Sequence, residues 1–280
     1  MDRSLPIYTT KCRLPSGISL YRSLLAPETS ETIQQSKNHL QNQQLYMMNE
    51  SLKDFMISEE EVALSDENSS DCNIDDCSTN LDQVVRRIAL SALKGLIELT
   101  KNNDRWSVKK VNEITCYSKH IGGRKVLKLE SFIETSAQHL WSILYPGDNT
   151  TEWNTQCGGN EIVYRVDNAT DIICTISNAL GPIAARDFVS ARKAAFTKGA
   201  YYLASQSIVT DLKPEEKGKV RGENGPCGFV VTPISEDSCH FVWVYNSSMK
   251  GWLPQVMVDQ AASAALIGAH QRLLTYAKER

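Results

Sequence analysis

The spacing of apolar residues changes several times along the chain and divides it into segments. From Asp82, residues Val85, Ile88, Ala92, Leu96 and Leu99 recur at helical spacing. This predicts a helix of about 18 residues with Asp82 as its N-cap. The runs WSVKKVNEITCYSKH and RKVLKLESFIE alternate instead, and read as two or three strands turned at Gly122 and Gly123. SAQHLWSILYP predicts a short helix opened by Ser136 and closed before Pro146. Six further runs read as strands: NEIVYRVDN, TDIICTISN, RDFVSARKAAF, AYYLASQSIV, CGFVVTPI and CHFVWVYNS. The connections mostly carry Gly, Pro, Asn or Asp, with Gly158-Gly159 read as a turn, so hairpins and an antiparallel sheet are expected. From Pro254 the chain returns to helical spacing for about 25 residues, and the middle of that helix, AASAALIGA, is almost wholly small or apolar. The fold class is α+β.

In RDFVSARKAAF, strand alternation puts Phe188, Ser190, Arg192, Ala194 and Phe196 on one side and Val189, Ala191, Lys193 and Ala195 on the other. An arginine between two phenylalanines on one face needs explaining. Elsewhere Ser205 and Ser207 alternate with Tyr201, Leu203 and Val209, so hydroxyls are mixed into an apolar face. A cavity for an amphiphile tolerates that mixture better than a dry core does. The last helix adds Ala261, Ala264, Ala265 and Ala269. Small residues there mean either close helix–sheet packing or space left for a ligand.

Composition bounds the rest. The chain has 280 residues, 41% hydrophobic and 22% charged, with a net charge of −3. That suits one domain of about 200 residues plus an appendage. Residues 1–82 hold a Gln/Asn-rich stretch and an acidic Ser-rich one, and read as a disordered tail, leaving 83–280 as the folded domain. Residues 50–82 carry eleven acidic side chains against one lysine, whereas 83–280 carry 24 basic and 19 acidic groups. The folded part is therefore mildly basic, which suits transient contact with an anionic membrane surface and implies no nucleic-acid partner. No apolar run approaches the roughly 20 residues needed to span a bilayer. The first 30 residues lack the apolar core of a secretory signal. They are weakly basic and contain Ser and Thr, but Asp2, Pro6 and Pro15 oppose a clean presequence helix. The expected location is cytoplasmic and peripheral to membranes, with mitochondrial targeting the weaker alternative.

The candidate chemistry is sparse. Eight cysteines form no CxxC pair and read as reduced thiols; five histidines lack metal-site spacing. Nucleophile-elbow, Walker and dinucleotide glycine patterns are absent. His270 sits among apolar residues and reads as a core histidine rather than a base. No catalytic residue, cofactor or metal is expected, and the chain is taken as a monomer.

Four stretches, EWN (Glu152–Asn154), RDFVSAR (Arg186–Arg192), VRGENGPCGFVV (Val220–Val231) and FVWVYNSSMKGWLPQ (Phe241–Gln255), resemble the START (steroidogenic acute regulatory protein-related lipid-transfer) domain, and within it the cholesterol-binding branch. The resemblance runs in order across roughly residues 83–280 and implies a helix-grip fold. A curved antiparallel sheet would wrap around the long C-terminal helix and enclose a tunnel for one lipid. It implies non-enzymatic lipid binding and transfer between membranes, with a sterol as first choice. A phospholipid or ceramide carrier and a lipid-gated sensor or scaffold stay open as alternatives.

Carried over residue by residue, the tunnel arginine is Arg192, with Asn154, Trp243, Ser190 and Ala265 as further ligand-binding candidates. Gly181, Pro182 and Ile183 fall in the lid. In the sterol-binding relatives an acidic residue on the preceding strand pairs with the arginine. Matching strand ends places Thr175 there, so either another carboxylate reaches Arg192 or an anion or phosphate supplies the balance. Ala269 stands where those relatives carry an aromatic, which implies a wider cavity. Finally, Phe55 in KDFMISEEEVALSDE resembles the acidic FFAT-type motifs that recruit lipid-transfer proteins, which implies an adaptor as partner of the tail; a generic acidic linker is the alternative.

Overall fold

The computed structural model describes residues 55–58, 77–101, 104–179, 183–252 and 255–280. All of them belong to one compact unit, Leu52–Arg280. The helix α1 (Cys77–Lys101) leads into strands β1 (Ser107–Val111), β2 (Ile114–Ile121) and β3 (Arg124–Ile133). Two short helices follow, α2 (Ala137–Leu144) and α3 (Thr150–Trp153). The chain then runs through β4 (Cys157–Asp167), β5 (Thr170–Ser177), β6 (Arg186–Thr197), β7 (Ala200–Ser207), β8 (Val220–Arg221) and β9 (Glu223–Asn224). It closes with β10 (Cys227–Ser235), β11 (Ser238–Tyr245), β12 (Ser247–Ser248) and α4 (Gln255–Glu279).

The main path of the sheet is β1-β2-β3-β11-β10-β7-β6-β5-β4, antiparallel throughout, with β8 added parallel to β6. This is the α+β class expected from the alternation and the terminal helix, in the helix-grip arrangement that the resemblance implies. Both faces of the sheet are covered. On the outer face Ala92, Leu93 and Leu96 of α1 pack on Ala195, Tyr202, Ala204, Val230 and Val242. On the inner face Leu266 of α4, flanked by Ala262 and Ile267, packs on Ile114, Cys116, Leu127 and Leu129. That is why β6 is buried along almost its whole length.

Two expectations need correction. The helix α1 begins at Cys77, ahead of Asp82, because Leu81, Val84 and Val85 pack on the cluster of Ile172, Cys174 and Val189 and draw the helix upstream. Asp82 lies inside it and accepts a hydrogen bond from the Tyr164 hydroxyl at 2.8 Å instead of capping. Gly158 and Gly159 are not a turn but part of β4, at a register shift. A Cβ on Gly158 would meet Asn178 Oδ1 at 2.6 Å, so the missing side chain makes room for that amide. The expected tail lies outside the described residues except for 55–58 and 77–82. Of these, Ile57 is buried in the outer core with Trp106 and Tyr202. Ser136 caps α2 as predicted, accepting from the His139 amide at 3.1 Å.

Three of the four motifs meet around β6, β8, β9 and β12. Arg186 and Asp187 of β6 pair in parallel with Val220 and Arg221. Asp187 is buried and accepts two bonds from Arg221, at 3.1 and 2.8 Å. Gly222 then passes over the Phe188 ring so closely that a Cβ would lie 2.2 Å from Cε1. Asn224 donates to Ser190 Oγ at 3.2 Å and accepts from Ser247 Oγ at 2.6 Å.

Gly95 gives a test of packing against propensity. In a helix interior alanine is favoured over glycine by about 1 kcal/mol. Here a Cβ would lie 2.6 Å from two atoms of the Pro226 ring, whose carbonyl is held by Asn246 Nδ2 at 3.3 Å. Overpacking of about 1–3 kcal/mol outweighs the propensity gain. Gly95→Ala is therefore expected to lower Tm in thermal denaturation followed by circular dichroism; a rise would show that the ring yields.

Candidate functional site

Between the inner sheet face and α4 lies a cavity of about 330 Å³, within the usual range for a small-molecule site. Its helix wall is Val258, Ala261, Ala262, Ala265, Leu266 and Ala269, one stripe of a helix at i, i+3, i+4 spacing. The choice left open by the small residues is thus decided: four alanines on this stripe stand off the sheet and leave space. Ala264 is the exception, exposed on the opposite side. Opposite the helix stand Ile173, Phe188, Leu203, Phe229 and Trp243. Trp243 packs edge-on against Trp153 and Phe229, with ring centroids 5.9 and 5.1 Å away.

One wall is charged. Arg192 is 5% exposed, and Asp171, directly opposite it on β5, is 2% exposed. Arg192 donates from Nε to Asp171 Oδ1 at 2.9 Å and from Nη2 to Oδ2 at 2.7 Å. This bidentate pair neutralises a cation whose isolated burial would cost several kcal/mol. Nη1 donates to the Pro146 carbonyl at 2.8 Å, and the guanidinium lies 5.3 Å from the centre of the Tyr145 ring. One N–H on each terminal nitrogen keeps no partner among the described residues, beside the cavity that Arg192 lines.

Thr175 therefore does not stand in the acid's place, and of the two balances left open it is a carboxylate that reaches Arg192. The chain carries its acid at Asp171, and Thr175, four residues along the same strand, faces Phe188. Alignment by strand ends mistook the register, which the hairpin sets by pairing Ser177 with Arg186. One signal was present in the sequence: Asp171 is the only charged residue of TDIICTIS and shares parity with Thr175.

Of the other predicted positions, Thr175, Asn154, Trp243 and Ala265 all line the cavity. Asn154 ends α3, and its Oδ1 accepts from the Gln156 amide at 3.1 Å. Ser190 does not line it: its side is roofed by Asn224, which reaches the cavity in its place. Ile183 lines the cavity, whereas Gly181 and Pro182 lie outside the described residues. Sequence reasoning missed Asp171, Tyr145, Asn160 and Trp153. Asn160 donates to the Gly147 carbonyl at 3.1 Å, and the buried Trp153 indole N–H has no partner among the described residues.

Two further buried groups are held in their neutral forms. His270 is fully buried, its ring 5.4 Å from and nearly parallel to Phe241, with Nε2 2.8 Å from Ser131 Oγ. Burial pushes its pKa down to about 4. Cys227 lines the cavity with its thiol pushed up to about 11 by burial, so it is protonated at neutral pH. Among the described residues no group of three His, Cys, Asp or Glu is placed to hold a metal.

Two outcomes follow. Asp171→Ala strands the buried guanidinium and is expected to cost about 3–5 kcal/mol, measured by urea unfolding. Asp171→Ala with Arg192→Leu should recover most of that loss. For His270, the folded pKa lies below the unfolded value of about 6.5, so from pH 6.5 down to about 4 the unfolded chain binds a proton that the folded chain refuses. Stability falls over that window, by about 3 kcal/mol in full, and is unaffected above it. The fall in Tm between pH 7 and 4 should be shallower in His270→Asn; equal slopes would contradict the assignment.

The pattern of the START domain family matches residues 90–278. The steroidogenic acute regulatory protein, mitochondrial, of Danio rerio is 31% identical over 193 residues, 65% of this chain and 67% of that protein. The steroidogenic acute regulatory protein of Xenopus laevis is 31% identical over 185 residues, covering 61% of this chain and 63% of that one. The chain thus spans about two thirds of the length of these relatives. Among solved structures, human StAR-related lipid transfer protein 5 superposes with a TM-score of 0.67 at 18% identity, over 71% of this chain and 98% of that one. Human STARD10 superposes at 0.59 and 15% identity, over 77% and 85%. Sequence pattern, sheet order and gripped terminal helix agree: this chain belongs to the START domain family.

Proposed function

We propose that this chain binds one lipid in the cavity between the sheet and α4 and carries it through the cytosol between membranes, without chemical change. A sterol is the ligand that suits the site best. The observation that carries this reading is Arg192, neutralised by Asp171, as the one charged group among the described residues that line a mostly apolar cavity. Because Asp171 already neutralises the guanidinium, the ligand need bring no charge. A single hydroxyl can accept from the spare N–H groups of Arg192 while an apolar body lies along the alanine stripe. Asn154 and Thr175, which also line the cavity, are the other polar contacts in this reading, and Trp243 and Ala265 are apolar ones.

A phosphate would be brought beside a carboxylate that is itself buried, and that like-charge contact is unfavourable. The balance therefore moves away from a phospholipid. Ceramide, whose polar end is also uncharged, is the second reading. The names of the 31%-identical relatives favour the sterol branch as well.

Native mass spectrometry of the whole chain with cholesterol, ceramide and phosphatidylcholine tests this. A one-to-one cholesterol adduct, weakened at least roughly tenfold (about 1.4 kcal/mol) by Arg192→Leu, is expected. A phosphatidylcholine adduct in its place would overturn the sterol reading. Ala265→Phe fills the cavity from the helix side. It should abolish the adduct while leaving Tm unchanged or higher, because the new ring enters empty space and not a packed core.

A further inference from the structure

Inside the acidic stretch 50–82, the triplet Phe55-Met56-Ile57 is an apolar island between Asp54 and Ser58-Glu59. The domain holds it. Phe55 meets the Trp141 and Tyr145 rings edge-on, with centroids 6.2 and 5.5 Å away. Met56 forms a parallel bridge with Phe196 near the end of β6. Ile57 is 7% exposed and joins Trp106, Ala200 and Tyr202 in the outer core. The strap thus crosses the end of the β6–β7 hairpin, with Phe55 against α2 and Ile57 among outer-face residues. The Trp141 ring in turn stacks on Tyr145 and on Tyr201.

Tyr145 connects this strap to the cavity. Its ring lies against the Arg192 guanidinium, its hydroxyl donates to the Asn168 carbonyl at 2.5 Å, and the next residue, Pro146, supplies the carbonyl that receives Arg192 Nη1. Phe55 therefore buttresses the residue that positions the cavity arginine.

We propose that Phe55–Ile57 is a docking segment of the acidic tail whose seat on α2 and the β6–β7 end braces Tyr145–Pro146, and through them Arg192, so that tail docking and ligand retention are coupled. Phe55 and Ile57 are positioning residues, since neither lines the cavity. A protein that grips the tail by Phe55 must first take that ring out of its seat. By linkage, such a partner binds less tightly to the loaded chain, by the same factor by which it weakens lipid holding. The coupling half rests on the reading of the cavity as a lipid site; the docking half does not.

The test uses the full chain and its Phe55→Ala/Ile57→Ser variant. Without lipid, amide exchange of Trp141–Gly147 should be about tenfold faster in the variant while β10 and β11 stay protected; unchanged exchange would overturn the proposal. If β10 and β11 also lose protection, the variant has unfolded, and Phe55→Leu, which removes the ring contacts but keeps most apolar area, decides by the same exchange criterion. With NBD-cholesterol as probe, the variant should release it about tenfold faster. Equal release rates would overturn the coupling. If the unaltered chain takes up no probe, the sterol reading fails, and exchange at Trp141–Gly147 alone decides whether the strap braces the site.

Discussion

A guanidinium set in an apolar wall has to be neutralised in place, and the organisation of the cavity follows from that requirement. Water cannot do it at 5% exposure, so a carboxylate must arrive on the neighbouring strand in register. Asp171 does so, and both of its oxygens are used. The third bond, to the Pro146 carbonyl, ties the same group to the segment between α2 and α3. The charge balance of the site is therefore complete before any ligand arrives. What remains is a pair of N–H donors beside a mostly apolar cavity.

That volume exists because α4 is gripped at some positions and held off at others. Leu266 and Ile267 pack against β2 and β3. Ala261, Ala262, Ala265 and Ala269 face the cavity. A helix with larger residues on that stripe would bury more area and be more stable, at the loss of the space. The short strands β8, β9 and β12 do comparable work on the opposite wall. Glycines at 222 and 225 let the backbone pass against Phe188 and Asn246, where any side chain would collide. The stretches that resemble the family thus both hold the wall and reach the cavity, the latter through Asn154, Phe188, Arg192, Asn224, Phe229 and Trp243 among others.

Most of the architecture was legible in the chain because alternation and helical spacing report burial directly. The strands flanking Gly122-Gly123, the Ser136 cap and the terminal helix all lie where the pattern places them. The start of α1 did not, since a capping residue is a local preference that packing of Leu81 and Val84 overrides. Gly158 and Gly159 misled for a similar reason: glycine marks close approach as well as turns, and only the position of Asn178 tells which.

By itself the sequence determined that Arg192 shares a face with Phe188 and Phe196, that a stripe of small residues runs along the last helix, and that no nucleophile or metal pattern accompanies them. These follow from periodicity and residue type, which are properties of short segments. Which carboxylate meets Arg192 was decided by the register of the β5–β6 hairpin, and register depends on how the connecting loop closes. Whether the alanines pack or leave room depended on the distance between helix and sheet. That Phe55, far upstream in an acidic tract, sits against Tyr145 was invisible for the same physical reason: a contact between distant segments is set by the shapes of both partners, and neither segment's own composition contains the other.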